Sequence, residues 1–120
     1  MDLLATALVA LVALIHVYIV ILEMFLWRTE RGRRAFGTDQ EFADRSAALA
    51  RNQGLYNGFL VAGLAWGLIA PDPVGFQVKV FFLALVIVAG AFGAATVNRR
   101  ILFIQAVPAA LALIAVIVAG

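Results

Sequence analysis

The sequence predicts an all-α fold: an antiparallel bundle of four transmembrane helices, with the N-terminus and C-terminus outside and the basic loops cytoplasmic. Three observations predict it. Four apolar runs are each long enough to cross a bilayer, the connections between them hold helix breakers or charge, and basic residues cluster in alternate connections. Composition agrees, with 65% of residues hydrophobic, 13% charged and a mean hydropathy of +1.04. A soluble domain is about half apolar and a quarter charged. Lipid is therefore the expected solvent of this surface and the lipid bilayer the expected partner. Residues 1–120 read as a single transmembrane domain.

The first helix is expected over residues 3–27. Met1 and Asp2 lead it without a positive n-region, and it runs into a basic loop instead of a small-residue cleavage site, so it reads as a retained span and not a signal peptide. At about 1.5 Å per residue it covers the roughly 30 Å hydrocarbon core. The second helix is expected over 39–70. Thr38-Asp-Gln-Glu41 has the form of a capping box, with Thr38 as N-cap and Glu41 at N3. This helix then starts in water and enters the membrane around Arg51, with Phe36 and Phe42 resting nearby on the lipid surface. Helices three and four are expected over 76–98 and 101–119. Ala70-Pro-Asp-Pro-Val-Gly75 makes the turn before the third, and Asn98-Arg-Arg100 closes a tight hairpin before the fourth. The runs are too long for strands and lack alternation. In lipid, backbone amides must also be bonded within the structure.

Orientation follows from charge. The first connection carries Arg28, Arg31, Arg33, Arg34 and Arg45, the third carries Arg99 and Arg100, and the second carries no basic residue, Lys79 lying just inside the next span. By the positive-inside rule the basic connections are cytoplasmic. Trp27 and Trp66 fall near opposite interfaces. Net charge is +2, but its carriers sit in connections rather than on one face, so nucleic acid is not an expected partner. With no cysteine, disulfides, thiolate metal sites and cysteine nucleophiles are excluded.

Counting from the boundary arginines gives depth. Glu23 lies five residues from Arg28, Asn57 six from Arg51 and Gln105 five from Arg100, hence about 7.5, 9 and 7.5 Å inside. Thr96 is shallower. His16 precedes Glu23 by seven residues and so shares its helix face. Ionisable groups at bilayer depth cost at least about 2.5 kcal/mol and turn to the bundle interior. Glu23, Asn57, Gln105 and Thr96 are therefore expected to form a hydrogen-bonded cluster. His16 sits above it, Asn52 and Gln53 at its cytoplasmic mouth and Tyr56 in the vestibule. The plainer alternative is adhesion, since polar contacts between membrane helices contribute about 0.6 kcal/mol each. Gly54–Gly58 and Gly63–Gly67 give two GxxxG spacings, and Gly90 and Gly93 thin one face of helix three; these suit packing within the bundle or a homodimer. Pro108 frees the carbonyl near Ile104, beside Gln105.

The runs His16-Val-Tyr-Ile-Val-Ile-Leu-Glu-Met24 and Asn52-Gln-Gly-Leu-Tyr-Asn-Gly-Phe59 carry a resemblance, as do the Gly90-to-Thr96 stretch and Gln105-Ala-Val-Pro-Ala109. Over essentially its whole length the chain resembles the domain-of-unknown-function family 1304, small bacterial membrane proteins with four predicted helices. The resemblance implies the bacterial cytoplasmic (inner) membrane and a compact bundle, and it implies no reaction. Its motifs coincide with the polar cluster derived from depth.

Three functions are open at this point. The first is a cytoplasm-facing pocket that binds or transports a small lipophilic or cationic molecule, with Glu23 as charged anchor and Asn57 and Gln105 orienting the ligand. The second is a membrane-embedded enzyme, or a metal- or haem-binding protein using His16 and Glu23. One histidine and one intramembrane carboxylate are too few for a closed metal site, so no metal ligand set is assigned and the cofactor is left unknown. The third is a structural subunit of a membrane complex.

Overall fold

The computed structural model describes residues 2–97 and 99–120; Met1, and Asn98 at the end of the expected third helix, lie outside the described residues. Among the described residues the protein is all-helical, without a strand. It comprises α1 (Leu3–Met24), α2 (Glu30–Phe36), α3 (Gln40–Ile69), α4 (Val74–Thr96), a π-helical turn (Leu102–Ala106) and α5 (Val107–Ala119). Among the described residues two helices, α1 with 22 residues and α4 with 23, are long and apolar enough to cross a membrane, and residues Phe103–Ala119 form a shorter apolar helix.

Helix α1 stops at Met24, short of the expected residue 27. The amides of Phe25 and Leu26 both bond the Ile21 carbonyl, at 3.0 and 3.1 Å, which widens and closes the last turn. The Thr29 hydroxyl then donates to Leu26 O at 2.6 Å and accepts from Gly32 N at 3.3 Å, so one side chain ends the turn and caps α2. Gly32 lies against the Leu26 carbonyl, where a Cβ has no room. Gly37, at φ +67°, ends α2 in the left-handed conformation that glycine adopts without strain. The arginine-rich stretch read as a loop therefore contains a short helix.

The start of α3 also corrects the expected cap. Asp39, not Thr38, is the N-cap, its Oδ1 accepting the Phe42 amide at 2.8 Å. Thr38 Oγ1 is buried and finds no hydrogen-bond partner among the described residues. Glu41 pairs forward with Arg45 at 3.8 Å instead of reaching back.

The chain forms two compact units, Met1–Ile15 with Leu60–Gly120, and His16–Phe59. The core of the first is Ala5, Val9 and Val12 of α1, Leu64 of α3, Leu83 and Val86 of α4, and Ala109, Ala112 and Val116 of α5. Glycine sets its helix spacing. Gly63 faces the Phe82 ring, Gly67 the stem of Lys79, and Gly90 the backbone of Ala106, whose N would lie 2.9 Å from an added Cβ. The fourth expected helix is not uniform, since a π turn precedes α5 and Pro108 sits in the first turn of α5, where a missing N–H costs least.

In the second unit α2 and both α1–α3 connections fold back on the start of α3. Trp27 Nε1 donates to Ser46 Oγ at 3.0 Å, and its ring packs on Phe36 with centroids 4.8 Å apart. Arg28 Nε meets Asp44 Oδ1 at 2.7 Å, and Gln40 Nε2 donates to the same oxygen at 2.8 Å. The inner face of α3 is small: Ala43, Ala47, Ala50, Gly54 and Asn57 are all buried, spaced alternately four and three residues apart. That spacing is the repeat of closely packed helices.

Candidate functional site

Small residues let the end of α1 approach α3 closely. At Gly54 an added Cβ would collide with Met24 Cγ and lie 3.2 Å from Glu23 Cβ. One turn further along the same face, Asn57 Nδ2 donates to Glu23 Oε1 at 2.5 Å. Both side chains are buried, with 7% of Glu23 and 5% of Asn57 exposed. Just past Glu23, the Trp27–Ser46 and Arg28–Asp44 bonds hold the chain against α3 about three turns before Asn57.

The surroundings of Glu23 and Asp44 differ. Glu23 is met by an amide, and among the described residues the ion pairs Arg28–Asp44, Arg34–Glu30 and Arg45–Glu41 do not include it. Asp44 is solvated. The Arg28 hydrogen bond first, and the Gln40 amide second, hold its carboxyl below the usual carboxylate range. Asp44 is thus a clamp of the connection, whereas Glu23 is a carboxyl group enclosed with one neutral partner.

His16 is completely buried on the same face of α1, seven residues before Glu23 in the buried series Ala5, Val9, Val12, His16, Glu23. The remaining expected residues are placed otherwise. Asn52, Gln53 and Tyr56 lie on the exposed side of α3, and Tyr56, 56% exposed, meets Phe59 edge-on with centroids 5.7 Å apart. Thr96 is exposed and its hydroxyl bonds back to Phe92 O at 2.7 Å, on its own helix. Gln105 is half-buried in the π turn of the other unit. Among the described residues no three His, Cys, Asp or Glu side chains gather as a metal site would require.

Sequence reasoning missed Gly54 as the residue that seats Glu23, having read it as one half of a GxxxG spacing. The signal was present in the three-residue step from Gly54 to Asn57. Of the four glycines in those spacings, Gly54, Gly63 and Gly67 face neighbours within the chain, and only Gly58 has open space within 4 Å.

Comparison with known proteins gives the family. The uncharacterized protein YpaA of Lactococcus lactis subsp. lactis strain IL1403 is 34% identical over 116 residues, covering 95% of this chain and 97% of that protein. No solved structure matches the chain. The family described as a protein of unknown function, DUF1304, matches residues 10–117, a range that contains Glu23, Asn57 and His16. The chain belongs to the DUF1304 family.

Proposed function

We propose that this is a four-span protein of the bacterial cytoplasmic membrane, with both termini outside, that binds or transports a small lipophilic or cationic molecule at Glu23. The observation that carries the reading is the enclosed Glu23–Asn57 pair, a carboxylate oxygen and an amide nitrogen 2.5 Å apart with both side chains buried. Adhesion alone needs no carboxylate, because two amides hold helices as well, at lower desolvation cost. A carboxyl group with a neutral partner can exchange a proton for a cation, which is the chemistry of coupled transport. Oε1 is taken by Asn57, and Oε2 is the atom offered to the ligand. His16 on the same face supplies a second polar group toward the bilayer midplane, about 10.5 Å along the helix from Glu23. Four spans follow if the arginines mark the cytoplasmic boundary, with α3 entering at Arg51 and the fourth span running from the π turn through α5.

The test is a native mass spectrum of the chain released from mild detergent, beside that of Glu23→Gln. The substitution keeps the shape and a hydrogen bond to Asn57 while removing the charge. A defined extra mass on the wild type, lost from the variant, supports the reading and gives the ligand's class. Spectra with no mass that depends on Glu23, whatever adducts the two proteins share, defeat it in favour of a structural subunit.

A further inference from the structure

The first unit contains a half-enclosed cavity of about 320 Å³ that shares no residue with the Glu23 pair. It is built from the start of α1, the end of α3, the α3–α4 turn and the end of α5. Leu68, Phe76 and Val116 contribute apolar surface, while Asp2, Asp72 and Lys79 bring charge to the same lining. Each carboxylate already spends one oxygen on a backbone amide: Asp2 Oδ1 accepts from Ala5 at 2.9 Å, and Asp72 Oδ1 from Phe76 at 3.1 Å. Lys79 has its stem fixed against Gly67, and among the described residues it takes part in none of the ion pairs.

We infer that this cavity binds the head of a zwitterionic amphiphile. Asp2 and Asp72 stand exposed at the rim of this space and Lys79 is half-buried, so a ligand seated there meets both signs of charge at once. A simple ammonium would satisfy the carboxylates yet stand beside Lys79. A simple anion would satisfy Lys79 yet face two carboxylates. Only a head carrying both signs completes all three, its anion on Lys79 and its cation between Asp2 and Asp72, with its apolar part against Leu68, Phe76 and Val116. The volume is within the range of small-molecule sites. Two sources share this chemistry, a membrane phospholipid of the ethanolamine type and a free zwitterion of similar size.

The test offers the full-length chain phosphatidylethanolamine and phosphatidylglycerol with identical acyl chains at equal concentration, and counts bound lipid by native mass spectrometry. At least a tenfold preference for phosphatidylethanolamine is expected. The double variant Asp2→Asn/Asp72→Asn keeps both helix-end caps, since asparagine caps as well as aspartate, and its preference should shift to the anionic lipid. Ala119→Trp fills the cavity without touching a charge and should lower phosphatidylethanolamine binding about tenfold, while Glu23→Gln leaves it intact. Displacement of the lipid by soluble glycerophosphoethanolamine identifies a free headgroup as sufficient; retention of the lipid identifies the membrane lipid as the ligand. Equal binding of the two lipids by the wild type, or an unchanged preference in the double variant, overturns the inference.

Discussion

The strength of the Glu23–Asn57 bond can be measured by a double-mutant cycle of Glu23→Ala, Asn57→Ala and the two together. The donor and acceptor are 2.5 Å apart, and exposures of 7% and 5% leave water little access to replace the bond. Hydrogen bonds to charged groups contribute about 1.5–3 kcal/mol. Interhelical hydrogen bonds in a membrane protein average about 0.6 and reach about 1.7 kcal/mol. The two ranges overlap near 1.5 kcal/mol, and that is the coupling expected. Each single variant also leaves its partner enclosed without a bond, costing about 1–3 kcal/mol, so the double variant should be less destabilised than the sum of the singles. Reversible unfolding in mixed micelles, titrated with sodium dodecyl sulfate and followed by helicity, gives the four free energies. A coupling under about 0.5 kcal/mol is indistinguishable from simple additivity. It would refute the argument that this pair is more than incidental contact.

Three further outcomes follow from named contacts. Gly54→Ala should destabilise by about 1–3 kcal/mol, because the new Cβ strikes Met24 and crowds Glu23; Gly58→Ala, in open space, should gain about 0.5–1 kcal/mol. The same micelle titration reads both. Asp39→Ala should lose about 1 kcal/mol with the cap of α3, while Thr38→Val should cost nothing, since its hydroxyl is buried without a partner among the described residues. The Asp44 carboxyl is held low by Arg28, so its contribution is present above the unfolded-state value and is lost as pH falls through the lower folded one. Melting temperature should therefore fall as pH drops below about 4, and Asp44→Asn should flatten part of that slope.

Counting from the boundary arginines paired Glu23 with Asn57 because a carboxylate and an amide at matching positions in two apolar runs have few other ways to be satisfied. Residues with other outlets were less legible. Thr96 turns its hydroxyl onto the Phe92 carbonyl, an option that any serine or threonine on a helix has and that spacing alone does not exclude. The short α2 was hidden because its arginines carried the topology signal, although Thr29 before it and Gly37 after it are ordinary start and stop residues. The capping-box pattern names Thr38 as the cap of α3; the neighbouring Asp39 takes that role because its Oδ1 receives the Phe42 amide, a choice between adjacent residues that spacing does not make. Lys79 read as an isolated charge near the membrane edge. Its company with Asp2 and Asp72 depends on residues far apart in the chain meeting in one cavity.

The π turn before α5 has a consequence for the length of the chain. Ile101 lies against Gly93 and Ala106 lies against Gly90, so both face α4 although five positions separate them. On a regular α-helix five positions amount to about 140° of rotation, and one of the two would point away. The i→i+5 turn absorbs the surplus residue and restores the facing. Removing one residue between Ile101 and Ala106 would leave them four apart, and an ordinary α-helical turn would present the same two side chains to the same two glycines. The hairpin of α4 and α5 therefore tolerates two chain lengths at this point. A shortened relative would keep its packing on both sides of the turn and lose only the local bulge that carries Gln105.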